Sequence, residues 1–414
     1  MFSPFGVHPS QSRLPFSHGG TVNPLTLPQT RPAPQPVRQK QPAHELPDLP
    51  RALNFYADYS GCGHWRMIWP ELLLNCYGKA NVQGGTVMVG DKNFYKGIKT
   101  IRVQRQATEQ QLNYLKWLKQ GPQKEFGFKI VYEIDDLIFK EDIPDYNKFK
   151  FAFEDPKIRE TSMEIMQLCD EITVTNEYMK NYYVKKTENK NVTVIPNFIP
   201  RFWMDRFFDY DKIRENYQKH SKKPRIVYCG SGAHFDIENK IKQKDDFFHV
   251  NDVIRKTVDK FQWVFVGGFP LKLRDLIKGG KIEFHEWTNL VGYPEAISKL
   301  DATLFYAPLE DSNFNKAKSD LKFIEACAFG IPSVMQNLCT YDTAFHKFTT
   351  GDELISKIEH LTGDYKKYIK EVKRAREYMK KRWMEDNIDE YLELYSYPYA
   401  DSKRKLLNLR NGIS

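Results

Sequence analysis

From Arg225 the chain reads RIVYCGSGAHFD (225–236), a short apolar run rich in β-formers that stops at two closely spaced glycines. The pattern recurs at WVFVGG (263–268), KIEFHEW (281–287), ATLFYAP (302–308) and IPSVMQ (331–336). Helical stretches separate these runs, around 250–260 and at SDLKFIEACAFG (319–330). Short apolar runs alternating with helices predict parallel strands covered by helices on both faces. A second series precedes the first, with strands predicted at 53–57, 86–89, 100–103, 129–134 and 171–175. Helices such as ATEQQLNYLKWLKQ (107–120) lie between them, with Leu112, Leu115 and Leu118 spaced three apart. Two series meeting near VIPNFIP (194–200) predict an α/β chain of two doubly wound, Rossmann-like domains facing a cleft. In such sheets ligands sit at the carboxyl ends of the strands. The expected boundaries are 51–200 for the first domain and 201–383 for the second, with a helix from about 384–414 packing back on the first.

The two ends have their own character. Residues 1–50 hold eleven of the chain's 23 prolines and show no helical or strand period. They are expected to form a disordered or extended tail. Near the other end, Tyr365, Ile369, Val372, Ala375, Met379 and Trp383 recur at spacings of three or four, giving one apolar stripe on basic helices. With 414 residues, 41% hydrophobic and 14% aromatic, there is material for two cores. Six scattered cysteines with no CxxC pair point to reduced thiols in a cytoplasm rather than to disulfides or zinc. No apolar run has the length of a membrane span, so no membrane insertion is expected. The formal net charge of +9 is compatible with a polyanionic partner without requiring one.

The stretch richest in chemistry is NKAKSDLKFIEACAFGIP (315–332). A helix beginning near Lys318 or Ser319 places Lys318, Lys322 and Glu325 on adjoining turns. Its N-terminus and Lys322 suit a pyrophosphate, and Glu325 can accept bonds from the two adjacent hydroxyls of a ribose. The same residues also fit an amphipathic helix with an incidental Lys–Glu pair. As a whole the stretch resembles the donor-binding signature of GT-B glycosyltransferases, above all the large retaining family (group 1 type) that uses UDP-, GDP- or ADP-sugars. The resemblance implies that Lys322 neutralises the donor diphosphate and Glu325 holds the donor ribose, with Asn315, Lys318 and Ser319 nearby. Many members carry a second glutamate eight positions upstream; here that position is Ala317, with Asp311 or Asn315 as possible substitutes.

Other segments share the resemblance, which covers roughly 52–396 with its specific motifs concentrated in 225–332. Gly230, Ser231 and Gly232 match the phosphate-approaching loop that opens the second domain. VIPNFIP matches the interdomain segment, with Phe198 where glycine is common, and WVFVGG matches the next strand. FYADYSGCGHWRMIWP (55–70) resembles the first domain's glycine loop. Gly61 and Gly63 would turn the chain there, bringing His64 and Arg66 into the cleft as contacts to acceptor or sugar. VYEIDDLIF (131–139) ends a strand in Asp135 and Asp136, either of which could act as general base if transfer inverted the anomeric centre, or could simply cap a loop or pair with a lysine. In retaining relatives the leaving phosphate oxygen takes the proton. No catalytic metal and no cofactor beyond the nucleotide sugar, by default a UDP-sugar, is implied.

The wording of SGCGHWRMIWP, CDEITVTN and GSGAHFD is most similar to phage-encoded members, which often modify hydroxymethylated pyrimidines in DNA. Lys96, Lys99, Arg102 and Arg105 form a basic cluster that could track the phosphates of double-stranded DNA. Trp65 and Trp69 are either wedges for base flipping or core residues. Three readings therefore stand: a DNA-modifying glycosyltransferase, a glycosyltransferase acting on a surface glycan or lipid-linked sugar, and a non-catalytic binding protein of the same fold. The sugar and the oligomeric state are open.

Overall fold

The computed structural model of the protein describes residues 49–236 and 244–396. The expected N-terminal tail, but for its last two residues, and the expected final helix beyond residue 396 lie outside the described residues. Two six-stranded sheets, parallel throughout, organise the rest. The first comprises β1 (Arg51–Phe55), β2 (Asn81–Gly85), β3 (Ile98–Gln104), β4 (Lys129–Glu133), β5 (Glu171–Val174) and β6 (Val192–Val194), in the order β2-β1-β3-β4-β5-β6. The second comprises β7 (Arg225–Cys229), β8 (Gln262–Val266), β9 (Glu283–His285), β10 (Leu304–Ala307), β11 (Ser333–Gln336) and β12 (Lys347–Phe348), in the order β12-β11-β10-β7-β8-β9. In each sheet the winding reverses once, between β1 and β3 and between β7 and β10. A crevice opens at each reversal on the carboxyl side.

Inner strands are covered on both faces, so β4 (KIVYE) is buried along its whole length. The Glu109–Gln120 helix starts at a capping box, in which Thr108 and Gln111 satisfy each other's backbone amides, and turns Leu112, Leu115 and Leu118 inward. The strand expected at 86–89 is displaced. Residues 81–85 fill the place beside β1 because the Asn75 side chain clamps both backbone groups of Val82 (2.8 Å each), and Val87 is left 76% exposed. The expected glycine turn is also different. Gly61–Gly63 opens a helix that widens into a π-turn over His64–Ile68 and continues as Trp69–Cys76. Gly63 lies so close to the Asp58 carbonyl that a Cβ would sit 2.0 Å from its oxygen.

That π-turn supplies the junction. It points Arg66 inward, fully buried, where Nε meets Glu133 Oε1 at 2.6 Å and Nη1 meets Ile195 O (2.7 Å) and Asn197 Oδ1 (2.9 Å). Arg102, equally buried, closes on Glu133 Oε2 at 2.6 Å. Asn197 Nδ2 donates to Ser319 Oγ (2.9 Å) in the second domain, and Arg382 donates to Asn197 O (2.7 Å). The chain crosses between domains twice, through 195–200 and 380–387. These crossings pair as Ile199 with Trp383. The Ile388–Ser396 helix then returns to the first sheet, where Tyr395 meets Asn54 (3.0 Å) and Leu394 O receives Thr100 Oγ1 (2.9 Å). Trp65, Trp69 and Trp203 form one aromatic cluster, with ring centroids 4.6–5.1 Å apart, so both candidate wedges are core residues.

Burial alone would push the Glu133 carboxyl up, but the Arg66 and Arg102 charges outweigh it and hold the group below the ordinary glutamate range. Replacing Glu133 by Ala leaves two buried guanidinium groups without their counter-charge. Denaturant unfolding is expected to show a loss of about 3–5 kcal/mol. A loss below about 1 kcal/mol, the worth of an exposed pair, would show the cluster to be peripheral.

Candidate active site

The reversal between β7 and β10 carries the first group of residues. After β7 the chain turns through Gly230, Ser231 and Gly232. A Cβ on Gly230 would lie 2.2 Å from the Tyr228 hydroxyl, which fixes glycine there. Ser231 Oγ accepts from Ala233 N (3.3 Å), while the Ser231 and Gly232 amides have no protein acceptor among the described residues. Next comes His234, only 6% exposed. Its Nδ1 lies 2.6 Å from Asp246 Oδ2 and its Nε2 lies 3.3 Å from Lys322 Nζ. Asp246 Oδ1 in turn accepts from Tyr146 OH (2.9 Å), Asn315 Nδ2 (2.6 Å) and Glu310 N (2.9 Å). Burial, helped by the Lys322 charge, pulls the imidazole down to about 3 against the pull of Asp246. The ring is therefore neutral, with Nδ1–H donating to Asp246 and Nε2 accepting from the Lys322 ammonium.

Lys322 and Glu325 follow on the Leu321–Phe329 helix, one turn apart on one face. This helix begins later than expected. Asp320 occupies the capping position, but its carboxylate is held by Arg382 (2.7 and 2.8 Å) and makes no cap. Lys318 and Ser319 thus precede the helix. Glu325 accepts from Tyr293 OH at 3.0 Å. Burial raises the Glu325 carboxyl, against the Tyr293 hydrogen bond and the Lys322 charge. Burial and the neighbouring Lys318 charge lower the Lys322 ammonium, against the attraction of Glu325 and Asp246. Both groups line one small cavity with Cys229, Tyr293, Tyr306 and Phe329. The Lys322 charge is thus held at an energetic cost that an anionic ligand would relieve, while Glu325 keeps acceptor oxygens for hydroxyl donors.

The first sheet presents the opposite wall. Asp135 and Asp136 follow β4, and Arg105 follows β3 with a strained φ of 45°. Arg105 pairs with Asp58, and its Nε lies 3.8 Å from Asp135 Oδ1. Burial raises the Asp136 carboxyl, Asp135 adds to this, and the Lys318, Arg105 and Lys322 charges oppose it. Both lysines belong to the second domain, so Asp136 faces them across the cleft. His64 is half-buried, with Nδ1 2.9 Å from Ser60 O and its ring edge-on to Trp69.

Several sequence expectations are corrected by these placements. Arg66 does not enter the cleft, because the π-turn directs it into the junction. Arg102 presents no charge to solvent, because it sits mid-strand in a sheet covered on both faces. Arg105 is turned into the cleft by its backbone. Only Lys96 and Lys99 of that basic cluster are exposed, so the four do not form a track. Asn315 is fully buried and spends its amide on Asp246, Tyr146 and Glu310. Ser319 is taken by Asn197, and Gly61 and Gly63 belong to a helix start. Ala317, at the position of the missing glutamate, is buried against the first domain; of the two possible substitutes, Asn315 is held by Asp246 and Asp311 is paired with Lys316 (2.5 Å). The residues missed were His234, Asp246, Glu310 and Tyr293. His234 was visible as the first polar residue after the glycine loop. Asp246 had no signal, because its role comes from Tyr146 a hundred residues away.

No family model matches the sequence, and no curated protein matches it. Solved structures do. A glycosyltransferase from Rickettsia africae ESF-5 superposes at TM-score 0.53 and 12% identity, covering 83% of this chain and 97% of that one. An alpha-glucosyltransferase in complex with UDP and a 13-mer DNA containing a HMU base superposes at TM-score 0.53 and 12% identity, covering 84% and 99%. The chain also spans 55% of the length of TarM, at TM-score 0.49 and 12% identity. At such identities the likeness is one of fold: the chain has the two-domain GT-B architecture. Among the described residues there is no group of three or more His, Cys, Asp or Glu placed to hold a metal, and no helix long and apolar enough to cross a membrane.

The neutral His234 is open to direct measurement. Nitrogen-15 NMR is expected to show the Nδ1–H tautomer persisting down to about pH 5. Protonation at the ordinary histidine value of 6.5 would mean that Lys322 is not facing a lone pair.

Proposed function

We propose that the chain is a glycosyltransferase that binds a nucleoside-diphosphate sugar, UDP-linked by first expectation, over the second sheet. It passes the sugar to a hydroxyl presented by the first. One observation carries this reading: Lys322 and Glu325 lie one turn apart at the reversal of the second sheet, next to a glycine turn with two amides that have no acceptor among the described residues, and across the cleft from Asp136. In this scheme Lys322 and the Ser231 and Gly232 amides take the diphosphate, and Glu325, steadied by Tyr293, takes the ribose hydroxyls. As the bond from the anomeric carbon to the phosphate oxygen breaks, the charge gathering on that oxygen meets donors already in place. A new bond forms from the acceptor oxygen to the anomeric carbon. With retention of configuration, the outcome we propose, the leaving phosphate oxygen collects the acceptor proton; with inversion, Asp136 or Asp135 would.

The acceptor we propose is a hydroxymethylated pyrimidine in DNA. Its support is the net charge of +9 and the shared fold of an enzyme solved with HMU-containing DNA. The buried Arg102 withdraws the residue-level support expected on the first domain. Nucleoside-diphosphate release from UDP-, GDP- and ADP-sugars, with and without hydroxymethylated DNA, tests both halves. Release that requires the modified DNA is the expected result. Release indifferent to DNA would keep the transferase and redirect the acceptor to a glycan or lipid-linked sugar. No release with any donor and acceptor would favour a binding protein of this fold.

Lys322→Ala and Glu325→Ala are each expected to weaken nucleoside-diphosphate binding by about 10- to 100-fold, the worth of a charge-assisted hydrogen bond in a partly dry site. Calorimetric titration reads this directly. Wild-type affinity in both variants would move the donor elsewhere.

A further inference from the structure

The segment after β4 leaves the first domain, leans on the second, and comes back through the Pro156–Leu168 helix. Its contact point is Tyr146, buried, whose hydroxyl donates to Asp246 and accepts from Asn315 Nδ2 (3.2 Å). The strap is therefore tied to the carboxylate that orients His234. Two residues further on, Lys148 lies over the glycine turn of the second sheet. A Cβ on Gly232 would come within 3.3 Å of Lys148 Nζ and 3.4 Å of its Cδ and Cε, so the lysine side chain lies close against the turn at 232.

Lys148 differs from its neighbours on the strap. Lys150 is tied to Asp145 and to Ile143 O. Lys148 is exposed and meets no carboxylate among the described residues; its ammonium only overhangs the Phe149 ring, 4.9 Å from the centroid. The Lys148 ammonium thus stands beside Gly232 of the glycine turn, while Lys322 approaches the same turn through His234, 3.3 Å away, from within the second domain. Two cations, one from each domain, flank a turn whose Ser231 and Gly232 amides have no protein acceptor among the described residues. That arrangement suits an anion with two charged phosphoryl groups, which a diphosphate has and a monophosphate lacks.

We propose that Lys148 is a second diphosphate-binding residue, delivered to the donor from the opposite domain on the Tyr146 strap. This rests on the nucleotide-sugar reading above. It makes the donor itself a bridge between the two sheets, and it makes Lys148 the residue that separates diphosphates from monophosphates.

Calorimetry with UDP, GDP and ADP on the full chain comes first, and whichever diphosphate binds is carried forward with its monophosphate. Lys148→Met is expected to lose on the order of tenfold in affinity for the diphosphate while its affinity for the monophosphate is unchanged. Lys148→Arg, which keeps the charge, should bind both as the wild type does. Wild-type diphosphate affinity in Lys148→Met would overturn the proposal, as would an equal loss for both nucleotides or an equal loss in Lys148→Arg. A wild-type chain that binds none of the three diphosphates would instead overturn the nucleotide-sugar reading beneath it.

Discussion

Glu133 is the constraint on which the architecture turns. Its carboxylate lies at the end of an inner strand, out of reach of water, and is ionised only because Arg66 and Arg102 grip one oxygen each. A buried charge of this kind is tolerable when its bonds are filled and expensive when they are not. The requirement propagates. Arg66 must point inward, so the helix after β1 widens into a π-turn at that place. Having done so, Arg66 gives two bonds through Nη1, to Ile195 O and Asn197 Oδ1 in the crossing between domains. The first sheet, the glycine-led helix and the interdomain segment are thus fixed by one ionic centre.

A comparable economy governs the second sheet. The Asp246 carboxylate receives four hydrogen bonds, from His234, Tyr146, Asn315 and Glu310, and the consequence is felt at Lys322. By taking the Nδ1 proton of His234, Asp246 leaves the opposite nitrogen as a lone pair, which can restrain an ammonium without neutralising it. A carboxylate in that position would have spent the charge of Lys322 within the protein. The imidazole keeps it available for an anion, and burial sharpens the effect by making the unneutralised ammonium costly to hold.

The two-domain α/β architecture was legible because parallel sheets write it as alternating apolar runs and helices, and because strands buried on both faces read as continuous apolar segments. Lys322 and Glu325 were legible for a related reason, since helical spacing places them together without help from the rest of the chain. What failed were readings of charge. Arg66 and Arg102 look in sequence like any cleft or surface arginine, and only the partner across the sheet, Glu133, shows them to be structural. TVMV at 86–89 has stronger strand character than NVQGG, yet the latter is in the sheet because Asn75 clamps Val82. Such outcomes depend on pairings between distant positions, and local pattern carries no record of them.

The return of the Ile388–Ser396 helix to the first sheet has a consequence for how the protein is made. Tyr395 closes on Asn54 and Arg102, so β1 waits for a helix whose contact residue lies 341 positions further along the chain. During synthesis the first sheet must persist with an open flank while the whole second domain is produced. Domains that emerge first ordinarily finish first. Here the order is inverted: every strand of the second sheet lies between residues 225 and 348, whereas the first sheet gains its last covering helix only when the chain has passed through its neighbour and come back.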